Sequence, residues 1–407
     1  MSLLDFFHRP PSRRRFAQLL LRELAAHLPD EPARFDETGF RLLLGADGEQ
    51  VINLHNLYPE YCAAGKAERA LQRARFLTLV RPSGIPPSFA EARAHLMPAL
   101  RGRGMLEYLR LMELGKDRDK PSGFLFLPFS RDTALMLVYD GEQTMQSFGQ
   151  DQLAQWGVSA ADALAAAMDN LRDATVDRFV QPQRGVFMGA WNDAYDSSRL
   201  LLPDLAHRVA GANPLAMAPA RGTLLLASGN DAEAVRAMIA LARRVADEET
   251  RPVSALVYRF VDGRPVEYAP ADVPAEAAAR AALAGLERCY RYGDYAAQKE
   301  TLDELHEQDG TDIFVAGYRV IREKDTGEEY SLCTWARGVD TLLPRTDRVA
   351  LGIPGEGKDA PEYRIVPWDA LHAACGHLMQ PVLDAFPERY RVTAFPDPDV
   401  LRRLAPE

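Results

Sequence analysis

Gly185–Ala227 reads GVFMGAWNDAYDSSRLLLPDLAHRVAGANPLAMAPARGTLLLA. An apolar strand runs into a polar turn dense with acidic, aromatic and arginine side chains. A short helix follows, and then a tight apolar hairpin over Leu215–Ala227. Strands joined by short turns, with a helix between them, point to an α+β fold of layered antiparallel sheets covered by helices. No G-x-G-x-x-G follows a strand, so a Rossmann domain is disfavoured.

The same grammar extends outward. Upstream, FLFLPF (124–129) and TALMLVY (133–139) read as strands around Ser130-Arg131-Asp132, and a helix over Ser159–Arg172 begins at a Ser159 cap. Downstream come a helix over Asp231–Glu248 and a hairpin, Val253–Val261 returning through Pro265–Tyr268 around Asp262-Gly263. Arg131-Asp-Thr-Ala-Leu-Met-Leu echoes Arg221-Gly-Thr-Leu-Leu-Leu-Ala, which suggests one recurring hairpin-then-helix unit.

Before this region, Phe16, Leu19, Leu20, Leu24 and Leu28 recur at helical spacing behind a Ser12 cap. Three arginines in that first turn oppose the helix dipole, so the helix depends on tertiary contacts. Phe40–Leu44 and Val51–Leu54 read as a hairpin around Ala46-Asp47-Gly48, Tyr61–Val80 as helix, His95–Arg101 as strand and Met105–Leu114 as helix. After a Pro/Ala-rich boundary at 270–280, a helix to about His306 leads into strands at Thr311–Ile321, Glu329–Ala336, Arg348–Leu351 and Tyr363–Val366. A helix over Trp368–Leu383 and a strand near Tyr390–Ala394 complete a smaller C-terminal α+β unit. The expected division is an N-terminal amphipathic helix (1–30), an α+β region (31–270, divisible near 120) and a C-terminal extension (271–407).

Composition narrows the function classes. The 407 residues carry a net charge of −10, unevenly placed: residues 1–120 hold 19 Lys and Arg against 15 Asp and Glu. Its clustered arginines, Arg13–Arg15 and Arg69/Arg73/Arg75/Arg81, fit solvated helix faces better than a nucleic-acid stripe. Cys62, Cys289, Cys333 and Cys375 form no CxxC pair, as expected of reduced thiols in a cytoplasm. No run approaches the roughly 20 apolar residues that cross a bilayer, so integral membrane association is not expected. The basic helix over residues 1–28 leaves peripheral contact with an anionic membrane as a third reading.

The sequence has no P-loop, no H-E-x-x-H and no G-x-S-x-G. His372, Cys375 and His377 are spaced so that one helix face cannot present all three, so neither metal nor cofactor is expected. His55 reads as a structural histidine, and the Tyr290/Tyr292/Tyr295 group with Arg288 and Arg291 as a candidate protein-contact surface. The one dense constellation is Trp191, Asn192, Asp193, Tyr195, Asp196 and Arg199, a candidate ligand or partner site at a strand–helix junction. The same residue types also serve as helix caps and an arginine–carboxylate pair.

The run Asn192-Asp193-Ala194-Tyr195-Asp196-Ser197-Ser198-Arg199-Leu200-Leu201 resembles the N-D-x-Y-D-x-S-R-[IL]-L run of the YtpQ-like bacterial proteins. The likeness is best over 185–268, fainter over 34–173, and has no counterpart from 271 onward. It implies a bacterial cytosolic protein of a family without assigned function and brings no reaction, cofactor or catalytic residue. The expectation is therefore a non-catalytic cytoplasmic module that binds another protein. The alternative is an enzyme or small-ligand binder using Asp193–Arg199.

Overall fold

The computed structural model describes residues 11–29, 32–37, 39–44, 50–55, 57–80, 85–115, 125–141, 145–249, 251–268, 277–353 and 362–404. The chain forms two compact units, Met1–Pro87 with Tyr139–Gln146, and Ser88–Val138 with Ser147–Glu407. Both mix helices with mainly antiparallel sheets, the expected α+β class. Among the described residues no helix is long and apolar enough to cross a membrane.

In the first unit the helix Arg13–His27 starts at Ser12, whose Oγ accepts from the Arg15 N–H. It buries Phe16, Leu20 and Leu24, an i, i+4, i+8 stripe, against Leu42 and Leu44 of the sheet. That sheet is Ala33–Asp36, Arg41–Leu44 and Gln50–Asn53, all antiparallel. Its first strand adds to the expected hairpin, and the 46–48 turn lies outside the described residues. The helix expected over Tyr61–Val80 is two, Leu57–Ala63 and Lys66–Val80, separated at Gly65.

The second unit is built on a six-stranded antiparallel sheet in the order Arg264–Tyr268, Val257–Val261, Pro214–Met217, Leu225–Ser228, Val186–Gly189, Phe179–Gln183. The expected hairpin is present, with Leu215 opposite Ala227, but residues 218–224 join its strands by an irregular loop, because Pro219 cannot donate to a ladder. Helix Ala232–Glu248 begins at Asp231, whose carboxylate accepts from Glu233 and Ala234. It buries Val235, Met238, Ile239 and Ala242 on this sheet. At roughly 1.5–3 kcal/mol for each fully buried large side chain, that stripe outweighs any single cap. Asp262 and Gly263 both have positive φ, 49° and 70°, as the two-residue hairpin turn requires.

Beside it, Thr133–Asp140 is flanked by Leu96–Gly102 and Phe126–Pro128. Helix Ala160–Asp173 carries a complete capping box between Ser159 and Asp162. The C-terminal part holds two four-stranded sheets. Two pairs in them are parallel, Phe314–Val315 with Thr341–Pro344 and Glu329–Ala336 with Arg348–Ile353. The second pair is possible because residues 337–347 cross over through a strand of the other sheet. The helix expected to reach Leu383 stops at Cys375, followed by a tight turn over Gly376–Leu378.

One element ties these layers together. Helix Ala277–Asp309 has 33 residues, about 50 Å at 1.5 Å per residue. Its first half packs Ala279, Leu283 and Leu286 into the core of the six-stranded sheet. Its second half buries Tyr295, Gln298, Thr301 and Leu305. Along its length the helix also meets helix Arg103–Leu114 and the strands Phe314–Val315 and Arg319–Arg322.

Candidate functional site

The Trp191–Arg199 constellation folds onto itself. Arg199 is 1% exposed, and its guanidinium forms a two-pronged pair with Asp193, Nη1–Oδ1 2.9 Å and Nη2–Oδ2 2.6 Å. The remaining donors go to Thr175 Oγ1 at 2.9 Å and the Ala174 carbonyl at 3.3 Å, and the Trp191 ring stacks 4.2 Å from the guanidinium carbon. Asp193 also accepts from the Tyr195 N–H at 3.0 Å, with Asn192 and Ala194 both left-handed (φ 56° and 69°). Burial pushes the Asp193 carboxyl up, but Arg199 and the Tyr195 N–H outweigh it and hold it below the usual range.

The capping runs in the opposite direction from the sequence expectation. Asp196 has helical dihedrals and caps no helix. Its Oδ1 accepts from the preceding Trp191 and Asn192 N–H groups, at 3.2 and 3.4 Å. Burial, then the charge of Asp193, raises its carboxyl. The helix itself is a 3₁₀ turn, Ser197–Leu201, followed by Pro203–Ala210. Tyr195 is buried, and the Trp191 indole donates to the Val176 carbonyl at 2.6 Å. Gly189 is required beneath it, since a Cβ there would lie 2.3 Å from the Trp191 ring.

The other candidates scatter. His55 is exposed, its ring edge-on to Phe40. Tyr290 donates to the Pro219 carbonyl and Tyr295 is buried, its hydroxyl donating to the Glu388 carbonyl at 2.5 Å; Tyr292 alone stands half exposed. His372 packs on Tyr390 while Cys375 lies in the C-terminal core. Among the described residues no group of three or more His, Cys, Asp or Glu is placed to hold a metal ion.

A different set of residues surrounds a cavity of about 250 Å³ beside the long helix. Asp132, Glu287, Asp294 and Glu388 line it together with Arg103, Arg131 and Arg291. Asp132 comes from the Ser-Arg-Asp turn before strand Thr133–Asp140. Its oxygens accept from the Ala255 N–H at 3.0 Å, from Ser254 Oγ at 3.0 Å to each, and from Ser130 Oγ at 2.9 Å. The buried Tyr258 hydroxyl sits 2.9 Å from both serine oxygens and completes the cluster. Burial outweighs these donors and Arg131, and the Asp132 carboxyl rises to about 6.

Asp294 projects from the long helix into the same cavity. Burial, then the charge of Asp132, raises its carboxyl to about 7, against the opposing pull of Arg291. No hydrogen bond or ion pair to it is formed among the described residues. Space for it exists because residue 104 is glycine: a Cβ there would lie 1.9 Å from Asp294 Oδ1. The neighbouring carboxylate Glu287 is by contrast engaged, 2.8 Å from Arg291 Nη2 and 3.6 Å from Arg131 Nη2. Gln298 fixes the walls, donating to the carbonyls of Gly104 (3.1 Å) and Phe386 (2.9 Å), while the Arg103 guanidinium stacks on the Phe386 ring. A half-enclosed carboxyl that titrates near neutrality, beside a second one that titrates at about 6, can give or take a proton at a bound molecule.

Residue pattern alone does not single out this pair. Arg131-Asp132 enters only as part of a turn between two strands and through the internal echo with Arg221, and Asp294 sits between tyrosines of the Tyr290/Tyr292/Tyr295 group with no motif of its own. No protein-family model, no curated protein and no solved structure matches the chain.

Proposed function

We propose that this protein binds a small, uncharged, polyhydroxylated molecule in the Asp132–Asp294 cavity and that Asp294 exchanges a proton with it. The observation that carries this reading is the Asp294 carboxyl, which has no hydrogen bond or ion pair among the described residues and faces a cavity in which Asp132 and Glu287 are already satisfied. Three guanidiniums disfavour a cationic ligand, and the carboxyls of Asp132, Glu287 and Asp294 disfavour an anionic one. Together they offer donors and acceptors on several sides, which suits hydroxyl groups.

Asp193–Arg199 has no part in this reading: Arg199 and Asp193 are paired with each other, and Asp196 accepts from the Trp191 and Asn192 N–H groups. The protein-binding alternative keeps its original support: the absent catalytic motifs, the acidic C-terminal portion and the modular layout. A cytoplasmic, bacterial setting rests on the composition and on the YtpQ-like run.

The test is carboxyl-carbon NMR of aspartate-labelled protein from pH 4 to 9, alone and with glycerol, myo-inositol or glucose at millimolar concentration. One aspartate should titrate near 7, vanish in Asp294→Asn and shift when one of these polyols is added. A titration in the ordinary range near 4, or no response to any of the three, would overturn the reading.

A further inference from the structure

A second cavity, of about 300 Å³, adjoins the first along the same helix. Glu287, Arg291 and Glu388 line both, so the two are chambers on either side of one polar divide. Separately they lie at or below the lower end of the roughly 300–1,000 Å³ usual for ligand pockets, and joined they fall within it. The second chamber repeats the balance of the first. Arg288, Arg345, Asp347, Ser331 and Thr346 line it; Arg288 pairs with Asp347, while the Thr346 hydroxyl is turned to the Arg348 carbonyl.

Its groups are held in place yet keep capacity to spare. Asp347 accepts from Arg288 Nε at 2.7 Å and from the Ser331 N–H and Oγ at 2.7 and 2.8 Å, and these donors, set against its burial, keep it below the usual carboxylate range. Arg345 is anchored to Asp369 at 2.8 Å and stacked on Trp368. Arg288 commits only Nε and Arg291 only Nη2 to protein partners among the described residues, which leaves further N–H donors on both. Tyr318 closes the back, stacked on Tyr295 with ring centres 5.1 Å apart.

We infer that the ligand consists of two linked polyhydroxylated units of disaccharide size, one in each chamber, crossing the divide at Glu287, Arg291 and Glu388. The inference rests on the reading of the Asp294 chamber as a polyol site. It commits to a sugar-like second unit because guanidiniums, carboxylates and hydroxyls surround that chamber, whereas a flat heterocycle needs an apolar slot.

Ala284 lines the second chamber and not the first, so Ala284→Trp fills one without touching the other. Glucose, maltose, cellobiose and trehalose are compared by saturation-transfer NMR and calorimetry on the wild type, Ala284→Trp and Asp294→Asn, with circular dichroism to verify folding. At least one disaccharide should bind tenfold or more tighter than glucose. Ala284→Trp should erase that advantage and leave glucose binding unchanged, while Asp294→Asn should weaken both. A polyol-responsive Asp294 combined with no disaccharide preference, or a preference that survives in folded Ala284→Trp, overturns the two-chamber inference alone. Failure of every sugar to bind the wild type overturns it together with the polyol reading.

Discussion

The carboxylate of Asp294 occupies the space that a side chain at Gly104 would fill, with a virtual Cβ only 1.9 Å from Oδ1. The two residues lie on different helices, and the absence of one side chain creates the chemistry of the other. Gly104→Ala is therefore a probe of the site. Alanine gains about 1 kcal/mol of helix propensity, while crowding a packed position costs about 1–3 kcal/mol. The expected net effect is a loss of the order of 1 kcal/mol in urea unfolding, with the Asp294 titration displaced. In an Asp294→Ala background the same change should stabilise, because only the propensity gain remains. A Gly104→Ala effect of the same sign and size in both backgrounds would contradict the contact.

The pH dependence of stability has a definite sign. Asp294 titrates at about 7 when folded, against an ordinary value of 3.8, so the native state holds that proton more tightly than the unfolded chain. Its contribution is most favourable below pH 4 and is lost as pH rises toward 7. A tenfold difference in proton affinity between the two states corresponds to about 1.4 kcal/mol. Asp294→Asn removes the penalty and should raise unfolding stability at pH 8 by about 2 kcal/mol or more, with the gain fading to nothing near pH 4. Melting temperatures measured across that range decide it, and a gain that does not vary with pH would point to another cause.

Arg199 should behave as a structural residue. Removing the buried guanidinium leaves Thr175, Ala174 and Asp193 without their donor, and because the Asp193 side chain is 37% exposed and can be hydrated, the loss should be about 1–3 kcal/mol. Arg199→Lys should recover little, because a single ammonium cannot make the two-pronged contact with Asp193 while also reaching Thr175. The Asp294 titration should be untouched in any folded Arg199 variant. Chemical denaturation and carboxyl NMR on the same samples test both halves.

What the sequence made legible was local. Ser12, Ser159 and Asp231 each sit beside the helix they cap, and Asp262-Gly263 adjoins both strands it joins, so residue type and spacing were enough. Asp193 and Arg199 were legible as chemistry but not in direction, since nothing in their spacing shows that Asp196 serves the N–H groups behind it. The cavity was not legible at all. Asp132 falls in the Ser-Arg-Asp turn, Asp294 inside the helix expected to about His306, and Gly104 between the expected strand His95–Arg101 and helix Met105–Leu114. Only tertiary folding brings a β-turn, two helices and the Ala385–Glu388 loop to one place. An unpartnered carboxylate is defined by what surrounds it, and here those surroundings are distant in the chain.

The coupling between the two aspartates gives the last prediction. The Asp132 charge helps raise Asp294, while Asp132 itself is held by Ser254, Ser130 and the Ala255 N–H. Asp132→Asn removes the charge, so Asp294 should titrate below 7 in that variant. Ser254→Ala acts through the same route more gently. It removes a donor from both Asp132 oxygens and an acceptor from the Leu256 N–H, so Asp132 should titrate above 6 and stability should fall by about 1–2 kcal/mol. With Asp132 more often neutral near pH 6, the Asp294 titration should begin lower and broaden, as expected of two interacting sites. Carboxyl NMR of both variants reads these changes directly. An Asp294 titration that stays at its wild-type position in Asp132→Asn would show that burial alone sets it and that the two carboxyls act independently.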